Sequence, residues 1–319
     1  MEAGKIMRLD DGLIASFKEF GAVLLPKVIS EGWLKKLRKG LEYNMSTPGK
    51  YTRNYTEKNS PGRFFGDYCN WDRIPEYKSF FFESPAADLA SQLMGSSKVN
   101  LFHEHVLVKE PGTQERTPWH HDQPYYCVNG KDTCSLWIPL DPVPKETCVQ
   151  FIAKSHRWGR WFTPTKFVGI EYANKDEGFE PMPDIDSEVD RYELLSWDLA
   201  PGDCIAFNFL TVHGAPGNIS KVSRRRAFAA RFTGDDARFV RRSGEMSPPF
   251  PEVSLKPGDK LENGLVYDSN GPMIFNLCLE TGNKPFLHKI IKDNPKILKK
   301  RLSTLIKKFD VIIFSGGAS

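Results

Sequence analysis

Between residues 99 and 232 the chain offers little but short strands: 99–109, 134–140, 149–152, 203–207 and 226–232 are apolar or alternating. Turn residues such as Pro111-Gly112 and Pro201-Gly202 cut them apart. Strands this short bury their apolar faces only by pairing and stacking. With helical patterns lying mostly before them, they point to an antiparallel two-sheet sandwich or barrel flanked by helices. The expected class is therefore mainly β with flanking helices.

The first 98 residues supply the helical buttress. Leu13, Ile14, Phe17 and Phe20 recur at helical spacing and Gly21 gives a stop, after which residues 22–25 form a short strand ended by Pro26. Ser30 caps a second helix with Trp33, Leu34, Leu37 and Leu41 on one face, and Ser84-Pro85 opens a third that ends at Gly95. Residues 99–235 are the β-core, broken by an acidic insert at 163–193 that includes Glu171, Asp176, Glu177, Asp184 and Asp186. Without regular calcium-loop spacing the insert reads as a solvated loop. Residues 236–319 form a proline-rich loop over 238–264 and a basic helical extension striped by Leu298, Leu302 and Leu305. Both long loops are lid candidates. The whole chain, 1–319, is read as a single domain.

Composition narrows the classes further. At 40% hydrophobic and 26% charged residues the chain has the make-up of a soluble globular protein, and no apolar run reaches membrane-spanning length. A net charge of only +4 argues against nucleic acid. No charged segment followed by an apolar stretch opens the sequence, and residues 316–319 are not a peroxisomal address, so a cytoplasmic location is expected. The six cysteines lack C-x-x-C spacing and read as reduced thiols.

The chemistry lies in His120-His121-Asp122 and, far downstream, His213. On an extended strand residues two apart share a face, so His120 and Asp122 bind one ion while His121 turns away. With His213 from another strand this makes two imidazoles and one carboxylate, a facial set with three open positions that suits non-haem Fe(II) oxygenases better than structural zinc. A dicarboxylate co-substrate then needs a cation at its far end, best a guanidinium giving two parallel hydrogen bonds. Arg224, Arg225 and Arg226 compete for that place; as a strand they put Arg224 and Arg226 on one face with Phe228, and Arg225 opposite with Ala227. Spacing favours Arg224, with Arg226 as its rival.

The segment from Thr117 through His120, Asp122 and Gln123 to Tyr126, then Leu136 to Asp141, Ser155-His156, and Val212-His213-Gly214 with Asn218 and Arg224, occurs in order. In these motifs the chain resembles the phytanoyl-CoA dioxygenase family of iron- and 2-oxoglutarate-dependent oxygenases, which also contains ectoine hydroxylase. The resemblance covers roughly residues 100–232, with a fainter echo in the helical part. It implies a double-stranded β-helix, or jelly roll, with Fe(II) on His120, Asp122 and His213 and the distal carboxylate of 2-oxoglutarate on Arg224. It further implies hydroxylation of an unactivated C–H bond of a small organic substrate with O2, yielding succinate and CO2, with ascorbate in support. Asp122, where related halogenases have alanine or glycine, favours hydroxylation over halogenation. Two departures stand out: His121 replaces the family's frequent glutamine, and Ala215 replaces a serine two residues after the distal histidine.

Two other readings stay open. His103 and His105 with Glu110 form a same-face H-x-H followed by a carboxylate, resembling a cupin metal site, although the cupin glycines are absent. A non-catalytic binding protein could also retain the same fold. Lysines and arginines outside the clamp hint at an anionic substrate; substrate identity and oligomeric state are not encoded in any motif.

Overall fold

The computed structural model describes residues 7–164, 178–240, 242, 246–250, 270–286 and 295–313. The chain divides into two compact units, Met1–Pro257 and Gly258–Ser319, where the sequence reading has one domain. The β-core of 99–235 lies wholly in the first, and the boundary falls within the proline-rich 238–264 segment. Most of that segment, Glu171, Asp176 and Glu177 of the acidic insert, and Lys289 and Lys292 of the basic extension lie outside the described residues.

The helices of the first unit are α1 (Asp11–Phe20), α2 (Glu31–Ser46), α3 (Pro75–Glu83) and α4 (Ala86–Met94). Asp10 caps α1 by accepting from the Gly12 amide, and Gly21 ends it with φ 82°, a left-handed conformation open to glycine without strain. A side chain there would also strike His156 and Thr211. The Ser30 hydroxyl accepts from the Trp33 amide at the start of α2, as the capping pattern predicts. The sequence reading missed α3. Its proline at the first position and its Tyr77, Phe80 and Phe81, all buried, are the signals available for it.

The strands run β1 (Ala22–Leu25), β2 (Arg53–Asn54), β3 (Phe64–Tyr68), β4 (Asn100–Lys109), β5 (Thr117–His120), β6 (Val128–Asn129), β7 (Thr133–Pro139) and β8 (Gln150–Ile152). They continue with β9 (Trp161–Phe162), β10 (Phe179–Glu180), β11 (Leu194–Leu195), β12 (Cys204–Phe207), β13 (His213–Ala215), β14 (Arg225–Thr233) and β15 (Arg238–Phe239). A seven-stranded sheet has the order β1-β12-β7-β14-β4-β3-β2, and a four-stranded sheet the order β11-β8-β13-β5. Every pairing within them is antiparallel. The protein is mainly β, with a jelly-roll core and helices along one side.

Alternation along the large sheet sorts its residues into two cores. On one face Phe228, Ala230 and Phe232 of β14, with Val106 and Val108 of β4, join Leu34, Leu37, Phe80, Leu89 and Leu93 from the helices. On the other, Trp137, Ile205, Phe207, Ala227 and Ala229 meet Phe151 and Ala215 from the small sheet. The second core is the interior of the jelly roll, and the functional residues lie along its lining.

In the second unit, α5 (Asn270–Glu280) and α6 (Pro295–Leu305) are helical, the latter where the leucine stripe predicts it. Among the described residues no helix is long and apolar enough to cross a membrane. All six cysteines are free thiols.

Candidate metal centre

The two histidines meet because β5 and β13 are neighbours in the small sheet, with His213 directly opposite His120. Their ring centroids are 4.2 Å apart. Each ring is fixed by its far nitrogen: His120 Nδ1 lies 2.8 Å from the Pro118 carbonyl oxygen and His213 Nδ1 2.9 Å from that of Thr211. A carbonyl only accepts, so both Nδ1 atoms carry the proton and both Nε2 lone pairs are directed at the same space. Asp122 Oδ1 faces them, 3.6 Å from His120 Nε2 and 3.9 Å from His213 Nε2.

Asp122 arrives by a different route from the strand alternation expected. Strand β5 stops at His120, and Asp122 is helical (φ −70°, ψ −37°) at the entry to a 3-10 turn over Gln123–Tyr125. The turn, not the pleat, swings its carboxylate toward the imidazoles. His121 is turned away as expected and is structural, its Nε2 accepting the Phe162 amide at 2.9 Å.

The centre is almost dry, and burial shapes its electrostatics. Burial, with the neighbouring His120, pushes the His213 imidazole down to about 3, which keeps it neutral and able to ligate at physiological pH. Burial also works to raise the Asp122 carboxyl, but the Arg231 guanidinium and the two histidines outweigh it and hold the group well below the usual carboxylate range. Two imidazoles with their Nε2 atoms turned inward and one carboxylate, with all three donor atoms within 4.8 Å of one another, fit a divalent iron ion. Phe151 and Phe207 wall the His213 ring, and Tyr125 meets His120 edge-on.

The three competing arginines fall on two faces of the sheet. Arg224 lies on the helix side of the sheet, where its guanidinium grips both oxygens of Glu110 (3.0 and 2.9 Å) and Glu42 (2.8 Å). Arg226 shares that side, forked onto Asp141 and bonded to Glu42. Arg225 faces the jelly-roll interior with Ala227, Ala229 and Arg231. It is buried, and its guanidinium donates to the carbonyls of Thr147 and Pro216. Directly across from it on β4, Lys109 is fully buried and donates to the same Pro216 carbonyl at 2.9 Å. Pro216 is the residue after Ala215, at the open end of β13. Among the described residues no carboxylate lies within ion-pairing distance of either cation, and burial pushes Lys109 down to about 5 and Arg225 to about 10. Arg225 and the Lys109 amine are thus buried side by side with no carboxylate partner among the described residues.

The rival metal set does not assemble. His103 and His105 line the interior on β4, but Glu110 is held by Arg224 on the helix side. His156 contacts the Lys18 carbonyl at the end of α1. Lys109 and Arg231 are site residues that the sequence reading passed over.

Comparison with known proteins concerns the fold and the family. A curated relative from Caenorhabditis elegans, described as a probable phytanoyl-CoA dioxygenase, is 23% identical over 177 residues, covering 53% of this chain and 54% of that protein. The chain thus spans about half of that relative's length. Two solved structures share the fold. One is the non-heme alpha ketoglutarate dependent carbocyclase SnoK (23% identity, 80% of this chain, 94% of that chain, TM-score 0.61). The other is the epimerase SnoN in complex with Fe3+, alpha ketoglutarate and nogalamycin RO (20%, 77%, 92%, 0.62). Residues 255–319 match the profile of a probable molybdopterin binding domain. A molybdopterin molybdenumtransferase from Nostoc is 39% identical over 59 residues, 18% of this chain and 14% of that protein. The larger match, over residues 17–227, contains the small sheet, most of the large one, the triad and Arg225, and by it the chain belongs to the phytanoyl-CoA dioxygenase (PhyH) family.

Proposed function

We propose that the first unit is an Fe(II)- and 2-oxoglutarate-dependent oxygenase that hydroxylates a C–H bond of a small organic substrate. The observation that carries this reading is the pairing of two sites on the interior face of the jelly roll. The His120–Asp122–His213 triad stands at the start of β13, and a buried, carboxylate-free Arg225–Lys109 pair stands just beyond its end. The geometry favours Arg225, not Arg224, as the partner of the distal carboxylate, because Arg224 is already neutralised by Glu42 and Glu110.

His120, Asp122 and His213 would hold the iron, and Arg225 with Lys109 would anchor the far end of the co-substrate. Bound together, iron and 2-oxoglutarate supply the oxidising power: one atom of O2 goes to the substrate carbon and the other to succinate, with release of CO2. The chain's own work is placement. His120 and His213 keep their rings aimed through their Nδ1–H bonds, Phe151 and Phe207 exclude water, and Ala215 leaves the distal carboxylate to be held by cations.

Succinate formation with Fe(II), ascorbate, O2 and a panel of small anionic and neutral substrates tests the reading. Asp122→Ala is expected to abolish turnover, and Arg225→Met to raise the KM for 2-oxoglutarate by roughly a hundredfold while Arg224→Met changes it less than about threefold. Full turnover by Asp122→Ala, or a larger effect at Arg224 than at Arg225, would overturn it.

A further inference from the structure

The iron-facing carboxylate has two oxygens, and the structure treats them differently. Oδ1 of Asp122 faces both histidine Nε2 atoms, at 3.6 and 3.9 Å. Oδ2 points the other way and lies 3.3 Å from Nε of Arg231. Arg231 sits on the interior face of β14, only 5% exposed, between His103 on β4 and Ser135 on β7. Neither neighbour carries a negative charge, and among the described residues Asp122 is the carboxylate that Arg231 meets. Tyr126 lies beside both members of the pair, and the guanidinium carbon stands 5.8 Å over its ring.

A carboxylate can grip a metal through one oxygen or through both. Gripping with both would take one of the three positions that a two-point oxo-acid ligand and O2 require. We propose that Arg231 is a positioning residue that fixes Asp122 as a one-oxygen ligand: by engaging Oδ2, it keeps that oxygen off the metal and the third position open. Tyr126 completes the restraint by closing the space into which the carboxylate would rotate. This inference rests on the reading of His120, Asp122 and His213 as the metal ligands.

The test uses Co(II) as a spectroscopic probe in the full-length protein, so that no turnover is needed. Arg231→Met removes the donors at similar length. Its Co(II) complex is expected to show a changed visible spectrum before 2-oxoglutarate is added, as Oδ2 enters the coordination shell. The Kd for 2-oxoglutarate on the Co(II)-loaded variant is expected to rise at least roughly tenfold, while the Kd for Co(II) itself moves less than about threefold. Arg231→Lys, which restores one donor, is expected to recover part of the 2-oxoglutarate affinity, and it carries the test if the methionine variant does not fold. Wild-type spectra and wild-type 2-oxoglutarate affinity in the folded variant overturn the role of Arg231 alone. A wild-type protein that binds no Co(II) overturns the metal reading first, and this inference with it.

Discussion

Lys109 has its amine in a place where its charge is costly. Burial and the neighbouring Arg225, with Arg116 adding to the opposition and Glu115 working the other way, push it from the usual lysine range down to about 5. Its Nζ donates to the Pro216 carbonyl and stands over the Phe64 ring, contacts that tolerate a neutral amine. At pH 7 the unliganded amine is therefore uncharged. A carboxylate arriving beside Arg225 reverses the balance, since an opposite charge at close range favours the protonated form. Co-substrate binding should then take up a proton across the window above pH 5 in which the empty protein's lysine is neutral and the liganded one charged. The sign follows: the complex binds more protons than the empty protein, so affinity for 2-oxoglutarate falls as pH rises, by as much as about tenfold per unit for full uptake. Calorimetric titration in two buffers of different ionisation heat measures the uptake directly, and Lys109→Met should abolish it. Equal heats in the two buffers for the wild type would show that Lys109 does not charge on binding.

At the level of single elements, β14 carries the most. Its outward residues Phe228, Ala230 and Phe232 seat the helices, while its inward ones, Arg225, Ala227, Ala229 and Arg231, line the site. Phe228 is fully buried against Tyr77, Phe80 and Phe81, so Phe228→Ala should cost about 3–5 kcal/mol in urea unfolding. The same change should leave the Co(II) Kd of the folded fraction within about threefold, because the inward face is untouched. A metal-binding loss as large as the stability loss would mean that the helix layer, and not the sheet, positions the triad. Alternation made this two-faced strand legible in the sequence, down to Arg225 lying opposite Arg224 and Arg226. Which face was the interior was equally readable: bulky Phe228 and Phe232 demand a deep partner layer, and small Ala227 and Ala229 leave room for a cavity. Counting from His213 favours Arg224 on the other face, but the irregular segment between β13 and β14 lets such a count slip by one residue without moving the strand. The grouping of His120, Asp122 and His213 was legible from the ordered motifs around them and not from the H-x-D spacing alone, since Asp122 lies beyond the strand that the spacing assumed. Arg231 was not, since its significance depends on a turn carrying Asp122 across to it, and α3 was missed where aromatic residues crowd a short helix.

On the scale of the whole molecule, the division at Pro257 and Gly258 separates two different histories of sequence likeness. The PhyH match ends at residue 227, and the match to a probable molybdopterin binding domain begins at 255. Every buried cluster of the jelly roll and its helix layer, and all three candidate ligands, belong to the first unit. A unit of that length buries enough surface to fold by itself. The basic helix α6, which the sequence reading attached to the oxygenase as an extension, belongs to the second unit. A chain ending at Pro257 is therefore expected to fold, to bind Co(II) and 2-oxoglutarate with Kd values within about twofold of the full-length protein, and to keep the same thermal midpoint for the transition that releases metal. Calorimetry of both chains with and without Co(II) distinguishes the cases. If the shortened chain loses its cooperative transition, or binds the metal an order of magnitude more weakly, the second unit is part of the oxygenase fold and the single-domain reading of 1–319 returns. If the full-length protein shows an additional transition indifferent to Co(II), that transition belongs to residues 258–319, and the lysines of α6 bear on whatever that unit binds and not on the anion held by Arg225 and Lys109.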